Sequence, residues 1–292
     1  MILEKAYAKL NLFLDIENKL PNGYHGIVSL MQTVDWCDNI YIGKNVSSEI
    51  VLSVDSHDIP SGRDNVAYRA AESYLKTVSA SDGVDIRIEK CIPVAAGMAG
   101  GSADAAAVLR GMNRLFDNRL SISELLELGK GIGADVPFCL LGGTKLARGI
   151  GEALSDCECS FPDCAIVCAK LGEGISAPEA YRLLDEKYDN FQARGVRTKD
   201  LQTLLDGMKQ NDAKAASLGF FNVFEEVIGT LRPSVEIAKA ILLEHGAFAA
   251  MMSGSGPSVF GLFHNDVEAE IATQALISRG AQARTCHPVS RI

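Results

Sequence analysis

Along residues 5–15 apolar and polar positions alternate. Ala6, Ala8, Leu10, Leu12 and Leu14 fall on one side, and Lys5, Tyr7, Lys9, Asn11 and Asp15 on the other, with Phe13 among them. A period of two predicts a β-strand. Turn residues follow in LPNGYH, residues 20–25, and an apolar run to Trp36 predicts a second strand. Ile40–Ile42 and Glu49–Val54 predict two more. The spacing then changes. From Asp64 to Thr77, Val66, Ala70, Tyr74 and Leu75 share a helical face. Val84, Ile86 and Ile88 alternate with Asp85, Arg87 and Glu89, which returns the chain to a strand.

That strand leads into PVAAGMAGGSADAAAVL, residues 93–109, where small residues crowd ahead of a helical pattern. Ser102 is the expected helix cap, and Ala105, Val108, Leu109, Met112, Leu115 and Phe116 repeat at helical spacing. SISE at Ser121 is a capping box that opens a helix to about Leu128. The apolar segment GKGIGADVPFCLLGGT, residues 129–144, comes next.

From Phe161 the pattern restarts. Cys164–Ala169 predicts a strand. Pro178–Leu184, Leu201–Met208 and Val235–His245 predict helices, the last capped by Ser234. Ala247–Met252 and Val259–Phe263 predict paired strands joined by SGSGPS, residues 253–258. This order predicts an α+β layer with helices over a mostly antiparallel sheet. The expected division lies near residues 150–160, giving domains of 1–155 and 156–292.

Composition narrows the partners. The chain has 292 residues, 47% hydrophobic and 22% charged, enough for two buried cores. Its formal net charge is -9, with no run of lysine and arginine, so no nucleic-acid partner is expected. The longest apolar runs, such as Phe248–Met252, are far shorter than a membrane span. The first residues enter a strand pattern without a basic-then-apolar leader, which predicts a cytoplasmic protein. The eight cysteines form no CxxC pair. Even the cluster of Cys157, Cys159, Cys164 and Cys168 has no usual ligand spacing, so reduced thiols are expected.

Several positions can carry chemistry. A helix N-terminus leaves its first amides unpaired and bears roughly half a positive charge, and glycines ahead of it let those amides reach a phosphate. Gly97, Gly100, Gly101 and Ser102 form such a cradle, or else a tight strand-to-helix turn; no GxxxxGK[ST] loop occurs. Lys9 and Asn11 share one face of the first strand, where a lysine ordinarily faces solvent. Asp135, in GADVPF, is a carboxylate in an apolar segment: either a turn former ahead of Pro137 or a general base held ionised by a lysine. Tyr24 and His25 follow a turn. SGSGPS is a hairpin loop that can also close over a phosphate. No GxSxG elbow or HExxH helix supports a hydrolase.

YAKLNLFLDI, PVAAGMAGGSADAAA and MSGSGPSVFGLF resemble, in order and spacing, the three signature segments of the GHMP kinase superfamily, across residues 6–263. The resemblance implies a two-domain fold: an N-terminal domain like ribosomal protein S5 domain 2 and a ferredoxin-like C-terminal domain. It implies ATP and Mg²⁺ as cofactors. NGYH, GADVPF and the following GGT narrow the resemblance to members that phosphorylate an alcohol of a cytidine diphosphate-linked methylerythritol, in the non-mevalonate route to isoprenoids. Carried over by position, Pro93, Val94, Ala95, Ala96, Gly97, Met98, Ala99, Gly100, Gly101, Ser102 and Ala103 hold the ATP phosphates, with Ser102 the suggested metal contact. Asp135 is the base and Lys9 its charge partner, with Asn11 beside them. Asn65 and Lys90 lie along the nucleotide. Tyr24 and Tyr181 stack on the cytosine, and His25 bonds its edge. Gly254 and Gly256 shape the wall.

Departures from the family pattern are Met98 for leucine, Ala99 for glycine and Ala177 for threonine. If position 99 needs a positive φ, the alanine costs about 1 kcal/mol. A homoserine- or mevalonate-type kinase is the nearer alternative, but two tyrosines and a histidine have no purpose there. A catalytically silent nucleotide-binding protein is the other, and it has no need of both Lys9 and Asp135.

Overall fold

The protein is described by a computed structural model covering residues 1–56, 59–188 and 191–292. The chain begins with two long strands, β1 (Ile2–Lys19) and β2 (His25–Asn45), then β3 (Ile50–Val54), α1 (Val66–Thr77) and β4 (Gly83–Glu89). Next come α2 (Gly100–Leu115), α3 (Ile122–Ile132), α4 (Val136–Leu141), β5 (Thr144–Arg148) and β6 (Ala153–Asp156). The second half runs β7 (Ala165–Lys170), α5 (Ala177–Lys187), α6 (Phe191–Arg194), α7 (Thr198–Lys209), α8 (Ala213–Ser217), β8 (Phe221–Asn222) and α9 (Glu225–Leu231). It closes with α10 (Pro233–Glu244), β9 (Ala249–Met252), β10 (Val259–Phe263), α11 (Asp266–Ser278), β11 (Gln282–Cys286) and β12 (Pro288–Val289).

Two sheets organise these elements. The first has the path β3-β4-β2-β1-β8, with β5 and β12 also on β2 and β6 beyond β5. The second is β11-β7-β10-β9, antiparallel throughout, as the sequence pattern predicts. The expected strands to Trp36 and at Ile40–Ile42 are one strand, β2. Its early half pairs with β5 and its late half with β4, while β1 runs along both.

Phe13 breaks the alternation of β1 yet is fully buried. Register shifts between Tyr7 and Lys9 and between Asn11 and Phe13 explain it: a bulge resets which face a side chain occupies. Ala6, Leu14 and Ile16 join one core, with the alanines of α2. Ala8, Leu10, Leu12 and Phe13 join another, with Ile166, Cys168 and Phe260 of the second sheet. β1 therefore sits between two cores and carries Lys9 and Asn11 at their border.

Two expected caps are corrected. α2 begins at Gly100 behind Ala99, so Ser102 is its third residue. α10 begins at Pro233 behind Arg232, because proline is pre-set for a first helical turn, and Ser234 lies inside. The capping box at Ser121 forms as expected, with Glu124 answering Ser121. Among the described residues no helix is long and apolar enough to cross a membrane.

Candidate active site

A cavity of about 1060 Å³ opens between the β1–β2 hairpin, the start of α2, the start of α5 and the loop between β9 and β10. Lys9 reaches it from β1 and is only 5% exposed. Its Nζ donates to Asn11 Oδ1 at 2.5 Å and lies 3.6 Å from Asp135 Oδ2. Asn11 in turn donates to Ser29 Oγ at 2.8 Å, and Ser29 Oγ donates to the Phe13 carbonyl at 2.7 Å. A buried ammonium is stable only with such partners, so strand packing fixes where its charge sits.

Asp135 stands between α3 and α4. Among the described residues its carboxylate makes no helix-cap hydrogen bond, and the side chain is 30% exposed toward the cavity. The turn-forming alternative is thus not what occupies this carboxylate. Among the described residues its one ion pair is to Lys9.

The small-residue segment lines the same cavity. Pro93, Val94, Ala95, Ala96, Gly97 and Ala99 border the cavity, followed by Gly100, Gly101 and Ser102 of the first turn of α2. Ala99 has φ 56° and ψ 29°, the left-handed conformation that an alanine tolerates poorly. Met98 and Ala103 do not border the cavity. Both are 1% exposed and pack into the cores, and the Met98 carbonyl accepts from Lys9 N at 3.1 Å. Gly254 borders the cavity from the second half, beside Ser255; Gly256 does not, and its backbone packs on Met252.

Asn65 and Lys90 border the cavity but are already engaged. Asn65 caps α1, accepting from Ala67 N and donating to the Pro60 carbonyl. Lys90 Nζ donates to Asp38 at 2.5 Å and to Asp104 at 2.7 Å, all within the fold. Burial works against the Lys90 charge, but the two carboxylates outweigh it and raise its pKa. Burial pushes the Asp104 carboxyl up, opposed by Lys90 and reinforced by Asp38. This triad lies against the first turn of α2: a β-carbon on Gly100 would stand 3.5 Å from Lys90 Nζ.

The aromatic residues gather at the other end of the cavity. Tyr24 is 60% exposed on the hairpin turn. Tyr181, from α5, borders the same cavity. It stacks on His25 at 4.7 Å, with the edge of Phe224 at 5.0 Å. Burial, with the nearby Asp135 charge, holds its hydroxyl well above its ordinary pKa. His25 Nε2 lies 2.7 Å from Asp185 Oδ1. One face of Tyr181 is therefore taken by His25, and Tyr181 also borders the cavity.

Asp38, Asp104 and Asp185 were not expected at the site. Asp104 carried a signal, a carboxylate among alanines in ADAAA. Asp38 and Asp185 stand in polar stretches that mark nothing.

The patterns of the GHMP kinases N terminal domain and the GHMP kinases C terminal domain match residues 65–143 and 193–282. A 4-diphosphocytidyl-2-C-methyl-D-erythritol kinase of Bacillus velezensis is 45% identical over 89% of this chain and 88% of its own. One of Bacillus subtilis is 42% identical, with the same shares covered. A crystal structure of 4-(cytidine 5'-diphospho)-2C-methyl-D-erythritol kinase aligns with a TM-score of 0.79 at 29% identity, covering 98% of this chain and 99% of that one. The homoserine kinase of Cytophaga hutchinsonii shares the fold, at 18% identity and a TM-score of 0.74, over 99% and 95% of the two chains.

Both domain patterns, together more than half of the chain, and these relatives make the chain a member of the GHMP kinase family. Within that family it belongs with the 4-diphosphocytidyl-2-C-methyl-D-erythritol kinases, the name carried by relatives 40–45% identical over most of its length.

Proposed function

We propose that the protein transfers the γ-phosphoryl group of ATP to the 2-hydroxyl of 4-diphosphocytidyl-2-C-methyl-D-erythritol, in the cytoplasm, as a step of isoprenoid precursor synthesis by the non-mevalonate route. The observation that carries the reading is the 3.6 Å pairing of Lys9 and Asp135 in the same cavity as the start of α2. Residues 1–155 supply the base, lysine and phosphate loop; residues 156–292 supply Tyr181 and Gly254.

The donor fits the loop. Gly100 and Gly101 leave the unpaired amides of α2 without side chains in front of them, at the positive end of the helix. Ser102 is the residue of this loop suited to touch Mg²⁺, its hydroxyl making no hydrogen bond among the described residues. Among them, too, no cluster of three or more His, Cys, Asp or Glu is set to hold a metal; Ser102 and the ATP phosphates would hold it. Bound there, Mg²⁺ would neutralise charge on the phosphate oxygens.

In the transfer, the acceptor oxygen bonds to the γ-phosphorus, the bond to the β–γ bridging oxygen breaks, and the hydroxyl proton passes to Asp135. ADP leaves. Lys9 pairs with Asp135 and offsets negative charge near the attacking oxygen. Asn11 fixes the Lys9 ammonium, so alignment is set before substrate arrives. Tyr24 and His25 lie at the end that takes the cytidine.

The test is ATP-dependent ADP release with 4-diphosphocytidyl-2-C-methyl-D-erythritol, homoserine and mevalonate in parallel. Turnover with the cytidine compound alone is expected. Turnover with another acceptor overturns the substrate, and ATP binding without turnover on any of them overturns the enzyme.

A further inference from the structure

Asp185 projects from α5 toward the turn between β1 and β2 and holds both ends of it. Its Oδ2 lies 2.5 Å from Lys19 Nζ, and its Oδ1 lies 2.7 Å from His25 Nε2. Lys19 and His25 are direct partners across the two strands, and between them runs the turn that carries Tyr24. The His25 side chain is 4% exposed, stacked on Tyr181 and met by the edge of Phe191 at 5.6 Å. The imidazole is therefore fixed in plane and in rotation.

A carboxylate only accepts hydrogen bonds. Burial alone would raise the pKa of Asp185, but hydrogen bonds from Lys19 and His25 outweigh it and lower the value, so the group is ionised. Nε2 must then carry the hydrogen. In the neutral form of the ring the other nitrogen, Nδ1, is then an acceptor. Among the described residues Nδ1 makes no hydrogen bond, and His25 borders the cavity. A cytosine edge offers an amine donor. A uracil edge offers a carbonyl at the same place, lone pair against lone pair.

We propose that Asp185 is a positioning residue that fixes the tautomer of His25 and so makes this end of the cavity select an amino-pyrimidine over its keto counterpart. The selection rests on the cytidine-linked acceptor proposed above, but its test does not require turnover. Binding of CDP and of UDP is measured by calorimetry with the ATP site filled by a non-hydrolysable analogue. The wild type is expected to favour CDP by about tenfold or more, the scale of one unpaired buried hydrogen bond. In Asp185→Asn, whose amide can either donate or accept, CDP affinity falls and the ratio collapses toward one. With the cytidine acceptor the same variant raises its KM and leaves kcat and the KM for ATP in place.

An unchanged CDP/UDP ratio in Asp185→Asn overturns the proposal, as does a ratio near one in the wild type. A protein that phosphorylates a different acceptor removes the functional reading and leaves this binding test intact. Should the variant not fold, ¹⁵N imidazole spectra of the wild type decide: hydrogen on Nε2 alone supports the assignment, and hydrogen on Nδ1, by itself or with Nε2, overturns it.

Discussion

Gly97 and Gly254 meet backbone to backbone across the two halves of the chain. A β-carbon on Gly254 would stand 2.7 Å from the Gly97 carbonyl oxygen, and one on Gly97 would stand 2.3 Å from the Ser253 carbonyl oxygen. Both residues have positive φ, 74° and 58°. Hydrogen bonds cross the same seam, from Ser253 Oγ to the Gly97 carbonyl and from Ser258 N to the Ala96 carbonyl, both at 3.3 Å. The loop SGSGPS is a hairpin connection that also braces the phosphate loop. Gly97→Ala is therefore expected to destabilise by roughly 2–4 kcal/mol, the left-handed cost plus overpacking. It should also raise the KM for ATP. Urea unfolding and steady-state kinetics measure both. Gly131→Ala in α3, with open space around it, is the control and should be neutral or mildly stabilising.

That contact shows where sequence reading stops. The period-two strand, the glycine loop, the capping box and the paired strands around SGSGPS are local patterns, and local patterns are legible. Which partner a side chain meets across the fold is not. Lys9 and Asp135 are 126 positions apart, and only the α3–α4 turn brings them together. The bulges in β1 that turn Phe13 inward leave no mark in a strict alternation. α4 spans six residues, too few to show a helical period. The pairing of Lys90 with Asp38 and Asp104, and of His25 with Asp185, joins residues far apart in the chain and is likewise invisible in the sequence.

Asp135→Asn keeps the shape of the side chain and removes its basicity. Its kcat is expected to fall by roughly 10²–10⁴, the usual scale of a lost general base. ATP affinity should change little, since the phosphate loop is untouched. Lys9→Met should lose turnover as well. Because the two act as a pair, the double variant should be little worse than the poorer single one. Additive losses would show that Lys9 and Asp135 serve separate steps.

Lys90 holds two carboxylates in a site where its own side chain is 8% exposed and theirs 0% and 6%. Lys90→Met leaves them facing each other with no cation. Breaking a buried pair by removing one partner costs roughly 3–5 kcal/mol. The variant should therefore fail first in stability, with a lower urea midpoint. Asp38→Asn/Lys90→Met/Asp104→Asn removes all three charges together and should recover much of the loss. If Lys90→Met keeps its stability and loses only ATP affinity, Lys90 serves the nucleotide rather than the fold.

Ala99 is the one residue of the phosphate loop that departs from the family's glycine, and its left-handed backbone shows the departure has a cost. An alanine there loses about 1–2 kcal/mol relative to a relaxed conformation. Glycine relieves that strain but frees the unfolded chain, returning roughly 0.5–1 kcal/mol. Ala99→Gly should therefore stabilise by about 0.5–1 kcal/mol, a rise of roughly 1–3 °C in Tm for a chain of this size. The amides of Gly100 and Gly101 keep their places at the start of α2, so the KM for ATP should hold or fall slightly. A lower Tm would mean that the Ala99 methyl, which packs against the core behind the loop, outweighs the strain it imposes.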